Sequence, residues 1–303
     1  QPAATPRRVA VVGAGPAGMA CAIEAARRGH AVTLFEAAPD LGGQLKLAQV
    51  VPGKSEFRQA LRWFEVALQR AGVAVRRGVK PSADELAGGG FDAVVLATGV
   101  RARRPDLPGV EHAKVMGYAD VLGGGATVGE RVAIIGAGGI GFDVAEYLLT
   151  DPAESTQPAA FMRAWGVDPT LQSAGGVAAP EVSPPRRRVH LLQRQPGSPG
   201  RTLGKSTGWI IKARLRNAGA TLTGGAQYER IDDQGLHVRV DGQARVIEAD
   251  HVVLCAGQEP ERSLLPELRS RGVAVHLVGG ADEAAGLDIG RAVGQALQVA
   301  AAL

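Results

Sequence analysis

The stretch "VAVVGAGPAGMACAIEAARRGHAVTLFEA", Val9 to Ala37, decides the fold. Val9 to Val12 has the length and apolar content of a buried parallel strand. A helix is expected from Pro16 to Arg28, with Ala22, Ile23 and Ala26 facing inward and Gly29 as its stop. Between strand and helix stand Gly13, Gly15 and Gly18 in G-x-G-x-x-G spacing, with Pro16 and Ala17 filling the interval. Gly13 permits the tight turn, Gly15 lets backbone approach a pyrophosphate, and Gly18 lets the helix pack closely on the strand. The helix N-terminus then offers unpaired N–H groups and a positive dipole end to the phosphates. Glu36 ends the next strand, 18 positions after Gly18, where a carboxylate accepts the ribose hydroxyls of an adenosine. The stretch therefore predicts a dinucleotide site.

A related stretch, "VAIIGAGGIGFDVAEYL", runs from Val132 to Leu148. Gly136, Gly138 and Gly141 repeat the spacing 123 positions later, with Gly139 and Ile140 between them. The next strand, "VHLLQR", ends in Gln193 and Arg194 and carries no carboxylate. An Arg there favours the 2′-phosphate of NADPH through a charge-assisted fork. Val182 to Tyr228 holds nine Lys or Arg and no Asp or Glu, so Arg201 or Lys205 can assist Arg194, while Arg186 to Arg188 read as a solvated face. Glu36 would repel a 2′-phosphate and Arg194 would attract it. The first site is thus expected to take FAD and the second NADPH.

The chain of 303 residues suggests two domains of ordinary size. A net charge of +4 and a sequence pI near 9.3 raise the question of nucleic acid, but no basic stripe interleaves with aromatics, so no nucleic-acid partner is expected. Cys21 and Cys255 form neither a disulfide framework nor a C-x-x-C pair, and both read as buried small hydrophobes. A reducing, cytoplasmic setting is the expectation. Two thiols cannot build an iron–sulfur cluster, the six histidines lie at no metal-ligand spacing, and no metal site is expected. No apolar run is long enough for a membrane span.

"QPAATPRR", residues 1–8, reads as a linker, so the chain is expected to be a piece of something longer. A helix is expected over Ser55 to Ala71, where Phe57, Leu61, Phe64 and Leu68 line one face. Another is expected from about Gly208 to Ala218, with strands near Gln227, His237 and Arg245. Residues from about 150 to 188 read as a Pro-, Gly- and Ser-rich insertion with one helical turn around Phe161 to Trp165. His30 reads as a helix cap, Trp209 as core, and Asp143 and Glu146 as a solvated helix face. "GKST" at Gly204 to Thr207 lacks the earlier Gly of a P-loop, because Pro199 stands in its place; Lys205 is better read as a phosphate neighbour. Alternating strands and helices place the chain in the α/β class with parallel sheets.

Two such folds in series, with "ATG" and "CAG" ends on crossover strands and a late "GGAD", are similar to the two-dinucleotide-binding-domain flavoproteins, the glutathione and thioredoxin reductase group. That resemblance implies two Rossmann-like three-layer domains, the NADPH domain inserted in a split FAD domain. The boundaries are then 9–107 and 257–303 for FAD, and 108–256 for NADPH. It also matches Asp282 to the group's late Asp, which contacts the flavin's ribityl chain.

A narrower resemblance rests on "GGQLKLAQVVPGKSEF", "GIGFDVAEYL", the insertion with "ESTQ" and "AWGVD", "GKSTGWI" and "CAGQEP". Together they resemble the bacterial 2,4-dienoyl-CoA reductases, NADPH-dependent enzymes of unsaturated fatty-acid β-oxidation that act on a CH–CH group. The resemblance implies FAD contacts at Ala17, Glu36, Gly43, Gln44, Asp282 and the helix start Ile289, Gly290 and Arg291, with Lys54 and Val100 as further candidates. It implies no catalytic acid or base in this chain. It implies as partners an FMN-bearing barrel and a 4Fe–4S segment in a missing N-terminal half, so electrons run from NADPH to FAD, to the cluster, to FMN and to the dienoyl-CoA. Sister designs, the enoate reductases and the trimethylamine dehydrogenase-like proteins, share this half, and a nucleotide-binding module without turnover is the remaining alternative.

Overall fold

A computed structural model describes residues 2–181, 185–201, 203–204 and 206–303. The chain divides into two compact units. The first comprises the chain up to Lys46, Glu56–Arg101 and Gln258–Leu303; the second comprises Leu47–Ser55 and Ala102–Gly257.

The first unit is a parallel five-stranded sheet in the order Val275–Leu277, Ala93–Leu96, Arg8–Val12, Ala31–Glu36 and Ala74–Arg77. Val9, Ala10, Val11, Val94, Val95 and Leu96 have no exposed surface, as central strands covered on both faces require. One face carries the helices Pro16–Arg27, Phe57–Arg70 and Ile289–Ala302, which meet in a core containing Met19, Leu34, Phe64, Leu68 and Ala296. The other carries the short helices Ala83–Gly88 and Leu265–Ser270 over Val12, Val94 and Leu96. Ser82 closes the start of Ala83–Gly88 in a capping box with Glu85.

The second unit repeats the plan. Its parallel sheet has the order Val115–Gly117, His251–Leu254, Arg131–Ile135, Arg188–Leu192 and Thr221–Thr223. The helices Tyr118–Leu122, Gly139–Leu149 and Gly208–Asn217 lie on one face, around Phe142, Leu148 and Leu215. The opposite face is covered by an antiparallel sheet of Gln227–Asp232, Gly235–Val240 and Gln243–Glu248, through Ile135, Leu192, Ile231 and Leu236. Its layers are thus helix, parallel sheet and antiparallel sheet. Asp241 and Gly242, both at positive φ, make the two-residue turn of the last hairpin. Among the described residues no helix is long and apolar enough to cross a membrane.

Several expectations are corrected. Leu47–Ser55 belongs to the second unit, not to a first domain running on to residue 107, because Val51 is buried among Tyr118, Val121 and Leu122. The earlier part of the first unit also ends at Arg101, and the chain returns to it at Gln258. Among its described residues the insertion holds two α-helices, Pro152–Thr156 and Pro158–Ala164, rather than one turn; the second begins on a proline, which is preset for a first helical position. Trp209 is 62% exposed and is not core. His30 does cap the helix, its backbone N–H donating to the Ala25 carbonyl at 3.2 Å, and its buried ring is engaged as well, Nδ1 accepting the Arg7 N–H at 3.1 Å. Glu146 is buried and ion-paired with Arg214, whose guanidinium also lies 5.6 Å from the centre of the Trp165 ring. Glu146, Arg214 and Trp165 tie the insertion to the helices Gly139–Leu149 and Gly208–Asn217.

Removing one member of a buried pair leaves an uncompensated charge, which costs about 3–5 kcal/mol. Arg214→Met is therefore expected to lower the unfolding free energy by about that much, whereas Arg214→Met with Glu146→Leu recovers most of it; urea melts of the two variants check this.

Burial holds the imidazoles of His30, His190 and His276 below their ordinary value of 6.5, with Arg7 and Arg28 adding at His30, Arg245 at His190 and Arg7 at His276. Below 6.5 the unfolded chain binds more protons than the folded one, so stability is full above that value and is lost as pH falls toward the depressed folded values. The thermal midpoint is expected to fall between pH 7.5 and about pH 5.5, and to fall less in His30→Gln; an equal slope in both proteins counts against His30 as a contributor.

Candidate functional site: two glycine loops of one design

In the first unit the Gly13 N–H donates to the Phe35 carbonyl at 2.8 Å, and Gly13 has φ +103°, which a side chain would strain. A Cβ on Gly18 would stand 1.8 Å from the Gly13 carbonyl oxygen, so only glycine lets the helix start this close to the strand. A Cβ on Gly15 would meet nothing within 4 Å. The space over Gly15 is open, as backbone that faces a ligand should be. Gly15 is the N-cap of Pro16–Arg27 and provides no side-chain cap, and the first helical bond runs from Met19 N–H to the Gly15 carbonyl. Pro16 has no N–H, so Ala17 and Gly18 are the amides facing out of the helix end.

Glu36 sits at the same end of the sheet. Its two oxygens accept the N–H groups of Ala14 and Ala38, each at 2.8 Å. That grip fixes the carboxylate while leaving a lone pair on each oxygen for ribose hydroxyls. Gly43, at positive φ, lies against the loop; a Cβ there would be 3.1 Å from Gly15 Cα. Gln44 follows as the first residue of a short helix, Gln44–Ala48.

The late segment returns to the same loop. A Cβ on Gly279 would meet Ala17 Cβ at 2.9 Å, and one on Gly280 would meet Val100 Cγ1 at 2.6 Å. Asp282 follows Gly280 by two positions. Its Oδ2 accepts from Gln295 Nε2 at 2.6 Å, and Gln295 Oε1 in turn accepts the Gly279 N–H at 2.7 Å. Arg262 holds the backbone beneath it through the carbonyls of Ala281, at 2.6 Å from Nε, and Asp282. Sequence reasoning missed Gln295; the signal was an amide beside the buried positions Ala292 and Ala296 on the final helix. At that helix's start Asp288 accepts the Arg291 N–H at 2.7 Å, which leaves Ile289 and Gly290 as the forward amides. The Arg291 guanidinium is engaged by the Glu283 carboxylate and the carbonyls of Glu283 and Ala285, so Arg291 clamps the preceding loop.

The second unit repeats the geometry of the first loop. Gly136 has φ +109° and donates to the Leu192 carbonyl at 2.8 Å. A Cβ on Gly141 would stand 1.9 Å from the Gly136 carbonyl oxygen, and Cβ atoms on Gly138 and Gly139 would meet nothing within 4 Å. Gly138 is an N-cap without a side-chain cap, and the first helical bond is Phe142 to Gly138, so Gly139, Ile140 and Gly141 present their amides. Phe35 pairs with Val12 and Leu192 with Ile135, so the structural counterpart of Glu36 is Gln193. A neutral amide stands where the first unit has a carboxylate. Arg194 follows, exposed and with no ion-pair partner among the described residues. Lys205, expected nearby, lies outside the described residues.

Lys54, expected at the first cofactor, lies in the second unit, where its Nζ is 2.6 and 2.7 Å from the two oxygens of Asp143. Asp143 is thus no solvated face residue. Burial raises its carboxyl, with Lys54 opposing, and burial likewise raises Glu146 against Arg214. Cys21 and Cys255 are both buried; desolvation pushes the Cys21 thiol up to about 12 and Cys255 up as well, so neither is a ready thiolate.

Both loops fit a dinucleotide: each leaves an open cradle over its middle glycine and an uncapped helix end aimed at it. The comparisons with known proteins agree. Residues 7–282 match the family described as pyridine nucleotide-disulphide oxidoreductase, and the chain belongs to that family. An NADH oxidase of Thermoanaerobacter brockii is 42% identical over 154 residues, covering 50% of this chain and 24% of that protein. A metal reductase of Desulforamulus reducens is 28% identical over 284 residues, covering 92% of this chain and 42% of that protein. A solved 2-naphthoyl-CoA reductase, in complex with 2-naphthoyl-CoA, superposes with a TM-score of 0.83 at 23% identity, over 100% of this chain and 41% of that one. The chain therefore spans less than half the length of these relatives, and it is an oxidoreductase module of the FAD- and NAD(P)H-binding kind.

The two classes of glycine separate in a simple experiment. Gly15→Ala is expected to keep the thermal midpoint of the flavin-free chain while lowering bound flavin, because its methyl enters only the cofactor's space. Gly18→Ala is expected to destabilise the fold itself by about 2 kcal/mol or more. Flavin content and melting of both variants provide the check.

Proposed function

We propose that this chain receives electrons from NADPH on its second unit and holds FAD on its first, as the input half of a longer reductase. The observation that carries the assignment is the contrast at one structural position: Glu36 in the first loop, Gln193 followed by the exposed Arg194 in the second. A carboxylate pinned by two amides binds ribose hydroxyls and repels a 2′-phosphate. An amide tolerates that phosphate, and a guanidinium binds it through parallel N–H bonds.

The residues of the chain then have separate tasks. Ala17 and Gly18, and in the second unit Gly139, Ile140 and Gly141, bind pyrophosphate oxygens with backbone N–H groups. Glu36 holds the FAD ribose, and Gly43 with Gln44 lies over the same loop. Asp282, fixed by Gln295, accepts from the ribityl hydroxyls. Ile289 and Gly290 direct amides toward the flavin carbonyl, and Val100 packs beside the segment that leads to Asp282. When bound, the nicotinamide and flavin supply the hydride transfer, and the protein's contribution to that step is alignment and exclusion of water rather than a side-chain acid or base.

Both thiols are buried and far apart in sequence, so no dithiol of this chain carries electrons onward. The outlet is an FMN-bearing barrel and a 4Fe–4S segment of the same polypeptide, with a 2,4-dienoyl-CoA as the final acceptor in the cytoplasm. Support for this part is the whole-chain resemblance to the 2,4-dienoyl-CoA reductases, together with the greater length of the relatives.

The test is anaerobic mixing of the flavin-loaded chain with NADPH and, separately, NADH, following flavin absorbance. NADPH is expected to bleach the flavin at lower concentration than NADH. Arg194→Ala is expected to weaken NADPH about tenfold, the lower end for a charge-assisted contact at an exposed arginine, and to leave NADH nearly unchanged. Equal loss for both nucleotides removes Arg194 from the site, and no bleaching by either reduces the proposal to nucleotide binding.

A further inference from the structure

The second loop contains a contact with no counterpart at the first among the described residues. Tyr228 lies on Gln227–Asp232 of the antiparallel sheet, next to an irregularity in pairing between Tyr228 and Arg230. Its ring packs against the cluster of Ala133, Ile135 and Leu192 under the parallel sheet. Its hydroxyl donates to the Leu192 carbonyl at 3.0 Å, the same oxygen that accepts the Gly136 N–H at 2.8 Å. On the other side of that peptide plane, the Gln193 N–H donates to the Thr223 carbonyl at 2.9 Å. The Leu192–Gln193 peptide is therefore held at both ends, and Arg194 follows one residue later. Burial raises the Tyr228 phenol well above its usual range, while the Arg194 charge and the Gly136 amide pull it the other way.

The first unit solves the same problem differently. There Glu36 is tied directly, by Ala14 and Ala38 amides on its own oxygens. Among the described residues Arg194 has no such tether, so its placement depends on the backbone that carries it. We propose that Tyr228 is a positioning residue of the second nucleotide site: its hydroxyl pins the strand end bearing Gln193 and Arg194 to the Gly136 turn, so that the ribose-phosphate selector and the pyrophosphate loop keep one fixed spacing. A β-bulge beside the residue is the usual way a strand re-aims a side chain at a site. This inference rests on the reading that the second site takes NADPH.

Tyr228→Phe keeps the ring in its cluster and leaves Leu192 its bond from Gly136, so the fold is retained. The test uses the full chain loaded with FAD, titrated with NADPH and with NADH, alone and in an Arg194→Ala background. Loss of one net hydrogen bond corresponds to about a fivefold change in affinity. NADPH affinity is expected to fall by about that factor, with the flavin-reduction rate at saturation and the flavin content unchanged. In the Arg194→Ala background Tyr228→Phe is expected to add nothing for NADPH, since residues that act through one another are not additive. Unchanged NADPH affinity in Tyr228→Phe overturns the inference, as does the same loss in both backgrounds. If Arg194→Ala by itself leaves the preference for NADPH intact, the NADPH reading fails and takes the inference with it; the single arginine variant thus separates the two failures.

Discussion

Both units depend on one approach of backbone to backbone. The third glycine of each loop lies so close to the carbonyl of the first that a methyl group would overlap it, at 1.8 Å for Gly18 and 1.9 Å for Gly141. This contact lets each helix begin at the end of its strand without a capping side chain. An uncapped helix end is a cost in an empty protein, because its amides have no partner there. It is the same feature that makes the end receptive to a pyrophosphate. The neighbouring strands, the returning segment at Gly279 and the carbonyls of Phe35 and Leu192 are all arranged around that turn.

Charge is then distributed by position rather than by amount. In the first unit the carboxylate of Glu36 is held by two amides and stays available. In the second, Gln193 removes the negative charge from the equivalent place and Arg194 supplies a positive one. The helix Gly139–Leu149 adds two carboxylates one turn apart, Asp143 and Glu146, each answered by a cation from elsewhere in the same unit: Lys54 from the short Leu47–Ser55 segment and Arg214 from the helix Gly208–Asn217. Burial disfavours both ionised carboxylates, and the cations offset part of that penalty. These pairs fix where two separate stretches, the segment around Val51 and the insertion at Trp165, meet the second unit.

The sequence by itself determined the two loops, their helices, the parallel α/β class and the contrast between Glu36 and Arg194, because each follows from local spacing and from which residues tolerate a tight turn. It could not assign Lys54, since the segment that carries it is short, lacks periodicity and crosses between units. It misjudged Asp143, Glu146 and Trp209, because a polar or aromatic residue at a helical position has the same local signature whether it is covered or not. Tyr228 and Gln295 were missed for a related reason: each acts through a backbone group more than a dozen residues away. Only the tertiary structure decided which distant side chains reach the glycine turns, because burial and long-range hydrogen bonding are set by how layers close on one another and leave no periodic trace in the chain.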